Sequence, residues 1–517
     1  MGAERTGAEE AVTSLVSVAR VVVEADGAEL APEAAATLSG LRVQHRLSLP
    51  SQCELTFSSI RGALDFASDL QPGASLRVSV TGQDASLFDG QVTAIEYVYG
   101  ADNEQTLRVR GYDLLHQLRK RQTVRAHVQV SVTDLAREML SEIGVGVVAS
   151  ASPPSWPHLI QHRQSDFDFL SSLAERCGLY MTMREGELHL ITLEGTGDSV
   201  SLRLGENLIE ARVEVNGDQA ADEVSTTGWD VAKVERHSGS AGSAQSGRDV
   251  LQEVSPDSVG ASAKRELVDE AAPSDDHAEA LAQAEIDLRT AREVTFYGVA
   301  EGDASLMPGM PVDVTGLADE INGTYVLTSV THTLDARSGF VSELGTAPPS
   351  PAPRPHASVA TLGVVTRVDD PDDKGRVRVS LPTFGDVETD WLGVLCPAAG
   401  PGKGLVALPD VDDKVLVLSL DGDPGRGFVI GGLYGTTELP DTGVEGGAIK
   451  RYTFVTPGGQ MVRLDDDKNL LRLETSTGNF VELAPGLLRL HATTNLTIEA
   501  PGRNLILRGA AIDFETG

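Results

Sequence analysis

Aromatic side chains make up only 4% of the 517 residues, and there are just three cysteines. The first shortage argues against stacked-ring platforms for single strands or sugars. Cys53, Cys177 and Cys396 lie too far apart for a disulfide scaffold or a Cys-rich zinc site. Positive charge is short too: 42 Lys+Arg against 76 Asp+Glu give a net charge of −34. A nucleic-acid binder needs a basic footprint to displace counterions, and an anionic membrane surface asks for the same. Nucleic acid is therefore excluded as an expected partner. No run reaches the ~18 apolar residues of a membrane span. The opening MGAERTGAEEAVTS carries acids where a signal peptide needs a basic and then an apolar stretch, so folding in the cytoplasm is expected. What is present, 41% hydrophobic and 23% charged residues, can build several real cores.

The texture changes along the chain. Residues 1–130 are read as a first domain, whose stretches SLRVSVTG, QVTAIEYVYG and TLRVRGYD alternate with period two and imply antiparallel strands of a β-barrel. Residues 131–345 form a second barrel with helices. One helix opens at Thr133 with Leu135, Met139 and Ile143 on one face, and Gly144 stops it. A second starts at Ser165 with Asp168 three residues on, as in a capping box, and ends at Gly178. A hairpin turning at Glu185-Gly186 follows it, and a longer helix begins at Ser274. The Ser/Gly-rich stretch 233–263 reads as a mobile loop. Five prolines within 346–358 forbid helix and ladder pairing and mark a linker. Beyond it, five strand-like pieces in 359–440 suit a small OB-type barrel.

The tail, 452–517, repeats a short alternating piece every eight or nine residues. The apolar pairs are Val462 and Leu464, Leu471 and Leu473, Val481 and Leu483, Leu488 and Leu490, Leu496 and Ile498, Leu505 and Leu507, and Ile512 and Phe514. Such a ribbon has one apolar face and no partner within the chain long enough to cover it. Three copies round a common axis would cover one another and leave no open edge along the shaft. Seven strands at the usual spacing give a prism roughly 35 Å long. The tail therefore predicts a homotrimer with those fourteen side chains as its core.

Four stretches together resemble a known family. They are GYDLLHQLRKR (111–121), HRQSDFDFLSSLAERCGLYMTMREGELHL (162–190), MPGMPVDVTGLADEINGTYVLTSVTHTLD (307–335), and the segment 363–435 with its GDPGRGFVIGG close. In this order they resemble VgrG-type spike proteins of contractile injection systems and the fused hub and spike proteins of phage tails. Gln164 stands where that family usually has an acid. The resemblance implies a mainly β fold: two hub β-barrels with a few helices, an OB-fold barrel, and a C-terminal trimeric, intertwined β-helix needle. It implies a structural spike that punctures the target envelope when a sheath contracts, touching a membrane only on firing. Implied partners are the inner tube, baseplate proteins and a PAAR-type tip protein, the last contacting Ala510, Ala511, Ile512 and Phe514. Assembly in the cytoplasm follows, within a particle of the extracellular phage-tail-like kind. The rival functions are a carbohydrate-binding adhesin working through Trp391 and a cell-envelope hydrolase.

Residue chemistry offers the hydrolase little. Gly400–Gly404 around Lys403 lacks the spacing and the hydroxyl residue of a phosphate loop. Asp369–Gly375 lacks the closing Glu of a calcium loop and reads as an acidic turn, as does Asp465-Asp466-Asp467. His158 and His162 are four apart but follow Pro153, Pro154 and Pro157, which disfavours the helix that would bring them together on zinc. Cys177 reads as core packing, and Glu96 with Asp113 is the best carboxylate pair on offer. No catalytic, cofactor or metal residue is assigned, and no enzyme is expected.

Overall fold

The computed structural model describes residues 20–59, 68–100, 104–230, 233, 235–260, 263–351 and 357–514. It is mainly β and forms two compact units, Met1–Gly432 and Leu433–Gly517. The helices are α1 (Pro32–Ala35), α2 (Val132–Ser141), α3 (Asp166–Arg176) and α4 (Asp275–Glu293).

Eleven of the strands expected to make two hub barrels are joined in one sheet, which does not close on itself among the described residues, and the others form smaller sheets. The joint is the antiparallel pairing of Ser329–Asp335 with Leu38–Arg46, in the register Val330↔His45 and His332↔Val43. Strands from both expected barrels thus share a ladder. Each of these two strands would be an edge of its own open sheet, and pairing them removes both edges. Leu41, Val43, Leu55, Phe57, Val78 and Val109 form the core on one side of the seam. Val294, Phe296, Val314, Tyr325 and Val330 form it on the other.

Polar groups are buried at this seam as well. His45 and His332 meet edge to face at 5.6 Å. The Leu87 carbonyl can only accept, so His45 Nε2 carries a proton to it at 3.0 Å, and Nδ1 accepts from the Ser51 hydroxyl at 2.9 Å. The Ser51 N–H in turn donates to Asp113 at 2.7 Å, and His332 Nδ1 shares a hydrogen bond with Ser342. Burial holds His45 down to about 4 and His332 to about 3, and it pushes Asp113 up to about 6.

The helices follow their sequence signals. Ser131 caps α2 one turn ahead of Leu135 with a full capping box to Asp134, two residues before the expected start at Thr133. Ser165 caps α3 and Ser274 caps α4. On α3, Asp166 is fully buried, 2.8 Å from Arg121, and accepts from Gln161 at 2.7 Å. Tyr180–Arg184 and Glu187–Ile191 form the expected hairpin, with Glu185 and Gly186 both at positive φ.

The described part of 233–263 is not the loose loop its composition implies. Glu235–Ala241 is an edge strand of a three-stranded sheet with Glu223–Asp230 and Lys264–Ala271, packed on α4. The small residues serve that packing. A Cβ on Gly239 would come within 2.2 Å of the Glu279 nitrogen, so only glycine lets the strand lie against the helix backbone. Residues 234, 261 and 262 lie outside the described set.

The linker segment begins docked: Thr328 Oγ1 donates to the Ala347 carbonyl at 2.6 Å and Arg292 to that of Pro349 at 3.2 Å. Residues 352–356 of it are outside the described set. The OB domain is a six-stranded sheet in which a two-bond bridge, Val377 to Leu392, brings the last strand back towards the first. Its core of Val365, Val377, Val379, Val415, Val417 and Val429 also takes in Ile160 from the hub.

Two outcomes follow. Gly239→Ala is expected to lower the unfolding free energy by about 1–3 kcal/mol through overpacking on α4, read from the urea midpoint. The seam histidines are neutral when folded but charge near 6.5 when unfolded. The unfolded chain therefore binds more protons, and stability falls from about pH 6.5 downward until the folded values near 4 and 3 are reached. Asp113 acts the other way between about pH 6 and pH 4. Between pH 6.5 and pH 5, His332→Asn should lose about 2 kcal/mol less than the parent chain, at about 1.4 kcal/mol per pH unit. Equal losses in denaturant titrations would exclude the seam as the source.

Candidate assembly face of the C-terminal unit

Residues 451–491 alternate apolar and polar with tight turns between, and they fold as a five-stranded antiparallel meander. The strands are Arg451–Val455, Met461–Asp465, Leu470–Glu474, Phe480–Ala484 and Leu487–His491. Gly459, Asn469, Gly478 and Gly486 take positive φ at the four turns. Asp465 is buried rather than solvated, and it accepts the Lys468 N–H at 3.0 Å to close the second turn.

Register sorts the side chains. One row runs Phe454, Val462, Leu473, Val481, Leu490; the next runs Tyr452, Leu464, Leu471, Leu483, Leu488. Residues two apart share a face, so these ten apolar groups, with no charge among them, make one surface. Val462 and Val481 are half-buried and the other eight are exposed, Leu488 at 66%. A hollow of about 420 Å³ on this side is lined by Phe454, Val462, Leu473, Val481, Leu490 and Leu496 among others.

The opposite face satisfies itself. Arg472 lies 2.8 Å from both Glu474 and Glu482, with its guanidinium 4.0 Å over the Phe480 ring, and Phe480 stacks on His491. Asp441 accepts from Arg451, Thr453 and the Gly443 N–H, which holds its carboxyl well below the usual carboxylate range. Arg451 also pairs with Glu445. The charged groups thus lie on one side of the layer, beside Met461, Leu470, Phe480 and Leu487, and the two apolar rows make the other side uncharged.

Eight of the fourteen expected core residues, Val462 to Leu490, lie on this apolar surface. Leu496, Ile498, Leu505, Leu507, Ile512 and Phe514 lie beyond the last strand and are all exposed, Phe514 at 89%. Ala510 and Ala511 are exposed beside them, and residues 515–517 are outside the described set. Tyr452 and Phe454 are additions. The alternation in RYTFV announces them, but only the ladder to Leu464 and Val462 puts them on the same surface.

The remaining candidates are scattered. Asp370 is buried, held well below the carboxylate range by Arg376 at 2.6 Å and by the N–H groups of Asp372, Lys374 and Arg376. Its carboxylate is spent on its own turn. His158 sits on the strand Trp156–Gln161, whereas His162 follows it with its ring 5.5 Å from Phe384. Burial pushes the Cys177 thiol up to about 12, far from a reactive thiolate. Glu96 is exposed and paired with Arg108, whereas Asp113 belongs to the buried seam. Lys403 stands in an exposed loop, bridged to Gly400. Trp391 is buried beneath Arg367 and Arg378, which lie 5.5 and 5.2 Å from its ring, so it offers no open face to a sugar.

Comparison with known proteins sets this geometry in context. Residues 44–338, more than half of the chain, match the model of the phage tail baseplate hub (GPD). The chain belongs to this hub family. Residues 361–434 match the type VI secretion system/phage-baseplate injector OB domain, so hub and OB domain follow one another as in a hub–spike protein. Among solved structures, a chain of the Francisella PdpA–VgrG complex (half-lidded) aligns with TM-score 0.55 and 9% identity over 92% of this hub protein and 88% of that chain. The E. coli c3393 protein is described as a type VI secretion component similar to the T4 tail proteins gp27 and gp5. It aligns with TM-score 0.52 and 14% identity over 77% of this chain and 96% of its own. The 43 kDa tail protein of prophage MuSo2 from Shewanella oneidensis aligns with TM-score 0.50 and 15% identity, over 64% and 98% respectively. At these identities the likeness is one of fold. No curated protein sequence matches the chain.

Proposed function

We propose that this hub protein is the homotrimeric spike of a contractile injection system, driven through the target envelope by sheath contraction and doing no catalysis itself. The observation that carries the reading is the uncharged two-row surface of 451–491. A single-layer sheet with ten apolar groups on one side needs a second layer, and two further copies of the same surface supply it symmetrically. The segment 492–514 supports the same conclusion: its apolar groups are exposed, and it has no ladder partner among the described residues. Strands from neighbouring copies would give it one. Intertwining then belongs to this distal stretch, because 451–491 already pairs within the chain.

A spike must resist deformation under load, and ladders running through every chain provide that resistance. The hub would meet the inner tube and baseplate. Ala510, Ala511, Ile512 and Phe514 would present open edges to a small PAAR-type tip protein. Assembly would take place in the cytoplasm, within a phage-tail-like particle.

Light scattering should give three times the 54.6 kDa chain mass, and a full-length monomer would overturn the trimer. Leu490→Asp places three carboxylates at one dry axis, at several kcal/mol for each buried ion. Residues 451–514 should then be cleaved at least about tenfold faster by protease while the hub melts unchanged, since a tenfold change is only ~1.4 kcal/mol. Unchanged cleavage would remove Leu490 from the core. A chain ending at Gly509 should no longer capture the tip protein.

A further inference from the structure

The OB domain carries two apolar features that its own chain leaves uncovered. The first is a sheet face. In the strand Lys414–Leu420, Val415 and Val417 point into the core, yet the alternate residues Leu416, Leu418 and Leu420 are also apolar and only half-buried. A strand apolar on both sides is the pattern of one covered on both sides. Register extends this outer surface to both neighbours: Leu362 pairs with Leu416, Ala360 with Leu418, and Leu418 with Phe428. Leu362 is 52% exposed, and Ile430 beside the same ladder is exposed as well.

The second feature is an arm. Residues 397–408 are exposed throughout, and the arm's own backbone bonds are few: Gly400 with Lys403, and Leu405 to Pro397. It leaves the domain at Leu395, whose N–H donates to the Val429 carbonyl, and returns at Asp412, whose N–H donates to the Val365 carbonyl. Leu405 and Val406 stand out at its crest, Val406 at 75% exposure, and Lys403 is the single charge between Leu395 and Pro409. Pro401 and Gly402, the latter at positive φ, close a tight turn between Gly400 and Lys403, and Pro397 and Pro409 restrict the two ends, which lowers the entropy lost when the arm docks.

We propose that residues 395–411 lie across the outer OB face of the next copy, over Leu362, Leu416, Leu418 and Ile430, and close a collar of three. The inference rests on the trimeric reading above. Arm and face are different surfaces of one domain, so the contact is head-to-tail, and such contacts close into a ring when the rotation fits. The only charges on the arm are Lys403 and Asp410, and Lys414 borders the apolar face, so both surfaces are mainly apolar, which suits an identical copy. Each copy would then donate one arm and receive one.

The test uses the full chain with Cys177 and Cys396 replaced by serine. Val406→Cys is combined in turn with Leu362→Cys, Leu416→Cys and Ile430→Cys. Mild oxidation should give a reductant-sensitive covalent trimer on a denaturing gel for at least one pair, while each chain with only one of the introduced cysteines stays a monomer, the remaining Cys53 being fully buried. If light scattering gives a trimer but all three pairs keep free thiols or form disulfides within one chain, the arm is overturned and the spike stands. If the full chain is monomeric, both fall. Independently, Leu405→Asp with Val406→Asp should speed proteolysis within 394–414 at least tenfold while cleavage of 451–514 is unchanged. An unchanged arm cleavage rate would also overturn the proposal.

Discussion

A β-sheet one layer thick has two faces, and an apolar face must be covered by something. In the hub this is met within the chain. The eleven-stranded sheet buries Leu41, Leu55, Phe57 and Val109 between its own strands on one stretch, and Phe296, Val330 and Leu344 on another, where the small sheet carrying Leu202, Val312, Val314 and Tyr325 covers them. In the C-terminal unit the same alternation yields two apolar rows that, among the described residues, no second sheet covers. The five strands join by tight turns and stay in one layer, and such a layer leaves one face for something else to cover.

Charge follows the same division. The other side of the meander is laced by Arg472 with Glu474 and Glu482, and by Asp441 with Arg451, all half-buried. Ion pairs that stay partly solvated add little stability singly. Their value is orientation, because a charged surface cannot be turned inward without desolvating several ions. Among the described residues of the meander, the uncharged rows are the side that can be covered without desolvating ions.

The hub answers a different constraint, the joining of strands that are distant in sequence. Ser329–Asp335 on Leu38–Arg46 brings two histidines, two serines and Asp113 into a dry seam where each must find a partner. Desolvation then keeps the histidines neutral, and this ties the seam's stability to pH. Gly239 on α4 is the packing counterpart: a close approach of backbone to backbone that any side chain would block.

Much of this was legible locally. Caps at Ser165 and Ser274, the Glu185-Gly186 turn, the OB strands and the apolar rows from Val462 to Leu490 all follow from patterns within about ten residues, where propensity and period act directly. The 233–263 stretch misled, because serine and glycine look alike whether they solvate a loop or permit tight packing. Only the tertiary structure shows Gly239 against Glu279. The two hub barrels misled for a related reason: an alternating strand advertises its inward face but not its neighbour, so the pairing that fuses the sheet had no local signal. Tyr452 and Phe454 needed register to join their rows, and Trp391 needed Arg367 and Arg378 to be seen as covered. The sequence alone determined which side chains turn inward, since that depends on period. The tertiary structure decided what they turn towards, since that depends on partners the chain meets only when folded.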